Sequence, residues 1–174
     1  MSADLTMPAQ ACQRRQDGNA AVPSGTTLDI ESGGALTFSG VAFDPSAEVV
    51  AATNTITAAE SGKTFFLNHA TEFVSTLPAP ALGLNYSFVV SGAPSGASYT
   101  VVTDGSANVI IGHILTSQDA GGSADSETSG GDTISFVDSK AVVGDRVDVV
   151  SDGTSWFARG SSKVFDAITI TTAS

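Results

Sequence analysis

A chain of 174 residues is long enough for one domain with a real core, or for a domain plus an arm. Apolar residues make up 41% of it and charged residues only 14%, well below the roughly 25% usual for soluble domains. Ser, Thr, Asn and Gly must therefore cover much of the surface, which suits a protein that spends its life against neighbours. The net charge of -11, from 7 basic and 18 acidic side chains, works against direct contact with phosphate backbones or anionic membranes, so neither nucleic acid nor membrane is an expected partner.

Met1 to Ser24 is polar, with Gln10, Gln13, Arg14, Arg15, Gln16 and Asp17 and no sustained apolar period; it reads as an extended arm. Arg14-Arg15 is the only basic pair and is a candidate partner contact. Cys12 is the single cysteine, so no intrachain disulfide can form. The chain opens without a basic segment followed by an apolar run, which predicts synthesis without a secretory leader. No apolar stretch approaches the roughly 20 residues of a membrane helix.

Residues 25–174 read as one β domain. Short runs rich in Val, Ile, Thr and Phe recur between Gly, Ser, Asp and Asn breaks. They predict strands near 26–30, 34–38, 55–58, 63–68, 72–77, 86–91, 98–103, 107–111, 133–137, 146–151, 154–159 and 165–171. Tyr86, Phe88 and Val90 fall on one face, as do Val147 with Val149 and Ile168 with Ile170. Residues 43–52 suggest a short helix after Pro45. Asp104-Gly105 and Asp152-Gly153 each read as the turn of a hairpin. Trp156, just past the second turn, is read as a core or subunit-contact anchor. Residues 117–132 hold no bulky apolar side chain and read as a long exposed loop. The expected fold is all-β: an antiparallel sandwich or barrel-like domain with an extended N-terminal arm.

Signs of chemistry are thin. Asp119, Asp125, Glu127 and Asp132 cluster in the glycine-rich stretch, but their spacing fits neither an EF-hand loop nor a calcium-binding β-roll, so a solvated acidic loop is the expectation. His69 and His113 are the only histidines and are far apart in sequence, and His69 reads as a satisfied polar residue at a strand end. Gly-X-Ser-X-Gly is absent. Ser61-Gly62-Lys63-Thr64 lacks the upstream glycine of a phosphate-binding loop and precedes a β run. No catalytic, cofactor or metal residues are assigned, and an enzyme is not expected.

Three stretches, TITAAESGKTFFLNHATEFVSTLPAPALGLNYSFVV, SYTVVTDGSANVIIG and GDRVDVVSDGTSWFARG, together resemble a β module of tailed-bacteriophage virion proteins, head decoration (cement) proteins and tail-fibre pieces among them. The likeness spans about residues 55–160. It implies that Leu77-Pro78 ends one strand, that Tyr86 to Val90 forms the next, and that Gly144-Asp145 leads into a final hairpin carrying Trp156. A short acidic chain with an arm is more like a decoration protein than a tail fibre, which needs a shaft and a tip. The resemblance therefore implies a homotrimer made in the host cytoplasm and seated on the virion head, with the major capsid protein as partner. A receptor- or glycan-binding tail component is the alternative. Arg14, Arg15 and Trp156 are the candidate partner-binding residues.

Overall fold

The computed structural model describes residues 13–14, 20–21, 37–38, 41–42, 44–69, 71–116 and 126–172, with backbone alone over 13–14, 20–21, 37–38, 41–42 and 126–129. The chain divides into two compact units, Met1–Ala35 and Leu36–Ser174. In the first, β1 (Gln13–Arg14) and β2 (Ala20–Ala21) form a short antiparallel ladder with Arg14 opposite Ala20. The strand expected at 26–30 lies outside the described residues, as does the rest of the expected arm.

The second unit opens with a small antiparallel ladder of β3 (Thr37–Phe38) and β4 (Val41–Ala42). A two-sheeted body follows. Strands β5 (Ala47–Val50), β7 (Thr64–Leu67) and β9 (Asn85–Val90) lie side by side in one sheet, and β6 (Asn54–Thr55), β8 (Phe73–Thr76) and β10 (Tyr99–Val102) in the other. The chain thus changes sheet at every strand, and each sheet receives every second strand running the same way. All the pairings among these six strands are parallel. This winding is that of a short two-sheeted solenoid.

The second half closes the body differently. Strands β11 (Ile110–Thr116), β12 (Ser126–Gly131), β14 (Arg146–Ser151) and β15 (Trp156–Ser162) complete a seven-stranded sheet in the order β12-β11-β15-β14-β9-β7-β5. Strands β13 (Thr133–Phe136) and β16 (Ile168–Thr171) complete a five-stranded sheet in the order β16-β13-β10-β8-β6. Most of these pairings are antiparallel, while β11 runs parallel to β15.

The core is what the period-two pattern places between the sheets. Phe65, Tyr86, Phe88, Val147, Val149 and Trp156 point inward from the larger sheet, and Phe73, Tyr99, Val101, Ile134, Phe136 and Ile168 from the smaller; all are buried. Phe65 stacks on Phe88 at 5.5 Å between ring centroids, Phe73 on Tyr99 at 4.5 Å, and Tyr86 tilts against Trp156 at 5.7 Å. Tyr86 donates its hydroxyl hydrogen to the Thr57 carbonyl at 2.9 Å, so this buried phenol is satisfied. Gly112 marks a close strand approach, because a Cβ there would lie 2.0 Å from the Ala158 carbonyl oxygen.

The all-β, two-layer expectation stands, but four details differ from the sequence reading. The sheets are mixed and not purely antiparallel, because alternate-sheet winding forces parallel neighbours. The expected helix over 43–52 is not formed by the described residues 44–52: Ala47–Val50 pairs in parallel with β7 and buries Val50, whereas so short a helix would not repay its nucleation. Asp104-Gly105 does not turn a hairpin. It sits in a single 3-10 turn, with Gly105 at φ 61°, that carries the chain from β10 in one sheet to β11 in the other. Finally, Ser126–Gly131 pairs with β11, so the 117–132 stretch is not all loop, and Asp132 is buried at its end. The Asp152-Gly153 hairpin is present: Gly153 has φ 100°, and the Asp152 carboxylate accepts the Thr154 and Ser155 N–H groups, each at 2.8 Å.

Candidate functional site

The two sheets present very different outer faces. On the five-stranded sheet, cross-strand partners build two rows: Thr55, Thr76, Val102, Thr133 and Thr171 in one, Val74, Thr100, Ser135 and Thr169 in the other. These are residues that suit a half-exposed pleated surface, and none of them carries a charge.

The outer face of the seven-stranded sheet is rougher and more apolar. One row runs Val49, Phe66, Val89, Arg146, Ser161, Leu115, and another runs Asn85, Val150, Phe157, Ile111. Val49 is 61% exposed, Val150 49%, Leu115 44% and Phe157 43%. Single exposed apolar side chains are ordinary, but several on one sheet face mark a surface suited to contact with another protein. Between these rows lie Ser87, Asp148, Arg159 and His113, in that cross-strand order.

The charges on this face are arranged unevenly. Arg146 grips Asp148 through Nε at 2.9 and 3.1 Å and through Nη2 at 2.7 Å, while Ser87 donates to the same carboxylate at 2.5 Å. Both partners are about half exposed, so this pair contributes on the order of 0.2–1 kcal/mol to stability. Its effect is to leave Asp148 spent on Arg146. Arg159, exposed and directly opposite Asp148, makes no ion pair among the described residues. Leu115, Arg146, Asp148, Arg159, Gly160 and Ser161 line a shallow groove of about 240 Å³, smaller than the roughly 300–1,000 Å³ of small-molecule sites.

At the opposite edge of the same sheet, Lys63 is ringed by carboxylates: Glu60 at 2.9 Å, Glu48 at 3.2 Å and Asp44 at 3.6 Å. Its ammonium also lies 5.8 Å from the Phe65 ring centre. Burial pushes Lys63 down, but its bonds to Glu60 and Glu48 outweigh this and hold it above its ordinary value. Glu60 is likewise pushed up by burial, yet Lys63 and Thr57 win and hold it low. Asp44 is held low by its hydrogen bonds from Ser46 first and by Lys63 next. The Gly-Lys-Thr tripeptide is thus part of an ion cluster on a strand edge.

The residues singled out in the sequence scatter. Arg14 lies in β1, and Arg15 lies outside the described residues. Trp156 is wholly buried against Tyr86, so as a partner-binding residue it is corrected: its indole serves the chain's own core and is not available to another subunit. Its Nε1 finds no hydrogen-bond partner among the described residues. His69 is a satisfied strand-end residue, its Nδ1 accepting the Thr71 N–H at 3.0 Å. Asp119 and Asp125 lie outside the described residues, and among those described no group of three or more His, Cys, Asp or Glu is placed to hold a metal. Among the described residues, no helix is long and apolar enough to cross a membrane. The Arg159 groove and its apolar surround were missed, because alternation alone does not say which apolar residues face outward.

Comparison with protein families, curated proteins and solved structures finds no match to this chain.

Proposed function

We propose that this chain is a structural subunit of a tailed-bacteriophage virion, a decoration protein that binds the outer surface of the capsid, stabilises the head and acts as a trimer. The observation that carries the reading is the outer face of the seven-stranded sheet, where exposed Val150, Phe157 and Leu115 surround arginines on a rigid sheet. Apolar and arginine-bearing surfaces of this kind are what protein contacts are built from. The resemblance of residues 55–160 to virion β modules supports the same reading. Physically, a subunit that binds only the assembled lattice adds its binding free energy to that lattice. Joined copies then engage at high effective concentration, so weak single contacts become tight.

The test mixes purified protein with undecorated heads, sediments them and heats them to compare DNA release. Full-length protein is expected to co-sediment and to raise the temperature of release. A form lacking residues 1–24 is expected to bind more weakly. It should remain folded, since the core formed by the described residues lies between Val50 and Ile170. Failure to bind heads, with attachment to host cells instead, would favour the receptor-binding tail component.

A further inference from the structure

We infer that the Arg159 groove is the receiving half of a head-to-tail contact, and that the acidic rim at Asp44, Glu48 and Glu60 of a second copy of this chain is the half it receives. The inference rests on the self-association contained in the decoration reading and names the two surfaces that would carry it.

The chain carries a net charge of -11, so copies repel one another over most of their surface. Contact between copies needs a place where that repulsion is reversed. The outer face of the seven-stranded sheet supplies one. Asp148 is neutralised by Arg146, and Arg159 is left with no ion pair among the described residues. The remaining acidic register position on this face is Glu127, opposite His113 on the edge strand β12. Its backbone lies two strands from that of Arg159, about 10 Å at the usual strand spacing.

The rim has the opposite sign. Three carboxylates surround the single ammonium of Lys63, so the cluster keeps a surplus of two negative charges. Glu48 and Asp44 remain 42% and 34% exposed there, within reach of a neighbour. The groove also offers apolar surface beside its charge, Phe157 and Leu115 next to Arg159, whereas Val49, which follows Glu48 in β5, points to the opposite face of the sheet. The two halves match in charge.

They are also different surfaces, four strands apart in one sheet. A contact that joins unlike surfaces is heterologous, and repeated by a closing rotation it makes a ring. The five-stranded sheet's threonine-rich face has no charge to steer such a contact and stays outside it.

The experiment follows the oligomeric state of the full chain by analytical ultracentrifugation over a concentration series, with far-ultraviolet circular dichroism to confirm folding. Arg159→Glu is expected to weaken association by about tenfold or more, as is Glu48→Lys, and the double variant is expected to restore it. Because Glu48→Lys also disturbs the Lys63 cluster, Phe157→Ser provides a second probe on an exposed position and should weaken association without unfolding. Thr100→Lys, on the other sheet's outer face, should leave association unchanged. Full association in both Arg159→Glu and Phe157→Ser would overturn the inference while leaving the decoration reading intact, as would an equal loss in Thr100→Lys. A parent chain that stays monomeric overturns the inference and the trimer together. An oligomer that depends on Arg159 but never binds heads would sink the decoration reading alone.

Discussion

Trp156 combines the largest buried side chain of the core with an indole N–H that has no partner among the described residues. Burying an amine without a hydrogen bond carries a penalty of about 1–3 kcal/mol, while losing the ring would cost about 3–5 kcal/mol. Trp156→Ala is therefore expected to lose that larger amount in urea unfolding. Trp156→Phe should lose less than about 1.5 kcal/mol, because the smaller ring keeps apolar contact and removes the unpaired donor. Equal losses for the two variants would show that a smaller ring does not keep the apolar contacts of the indole. At Gly112 the loss comes from crowding instead. The position needs no unusual φ, yet a methyl group there meets the Ala158 carbonyl oxygen at 2.0 Å and the Ala158 Cβ at 2.9 Å. Gly112→Ala must push β11 away from β15, and a loss of about 1–3 kcal/mol is expected by the same unfolding measurement. No loss would mean that the strand pair is free to spread.

At the scale of the element, Lys63 ties the edge strand β5 and the turn at Glu60 to β7. The folded values of Asp44 and Glu60 lie below their ordinary 3.8 and 4.5. Their contribution is thus fully present above that range and is lost as pH falls through the lowered folded values. Lys63, held above 10.5, contributes below that pH and loses its contribution as pH rises past its folded value. Lys63→Met is expected to cost about 1–2 kcal/mol near neutrality, screened by partial exposure. It should also flatten the acid-side fall in stability, measured as urea midpoints between about pH 7 and 2.5. A parent and variant with parallel acid limbs would remove the cluster from the pH response. Elements differ, too, in how far they could be read from residues alone. Tyr86, Phe88 and Val90 alternate between turn signals, so β9 was plain, and Asp152-Gly153 announced its hairpin. Strand β12 was not legible, because SETSGG holds no apolar residue and is ordered by pairing with β11. Strand β5 was hidden for a related reason, since Val50 is its one buried residue. Parallel pairing was invisible because it depends on which sheet each strand joins, and local alternation is the same in either sheet.

For the molecule as a whole, fold and candidate site belong to different levels of information. The two-layer β class followed from recurring strand and turn residues along the chain. The Arg159 groove did not, because Leu115, Arg146 and Arg159 come from three strands whose neighbours are set by the sheet order β11-β15-β14. In that order the hairpin of β14 and β15 stands between β11 and β9. The two strands that flank it are made earlier, so the middle of the larger sheet is synthesised almost last. A chain still growing on the ribosome and shorter than residue 146 has β9 and β11 with an unfilled gap between them, and its apolar inner face has no continuous layer to cover. Folding during synthesis must wait for nearly the whole chain, and the half-made product carries unpaired strand edges while it waits. A form ending at residue 145 is expected to lack a cooperative unfolding transition and to aggregate, tested by thermal melts and sedimentation; a sharp melt would show that the wound half is a folding unit of its own. The last sixth of the chain is thus a keystone in time as well as in space, and premature termination should yield insoluble fragments rather than shortened, working subunits.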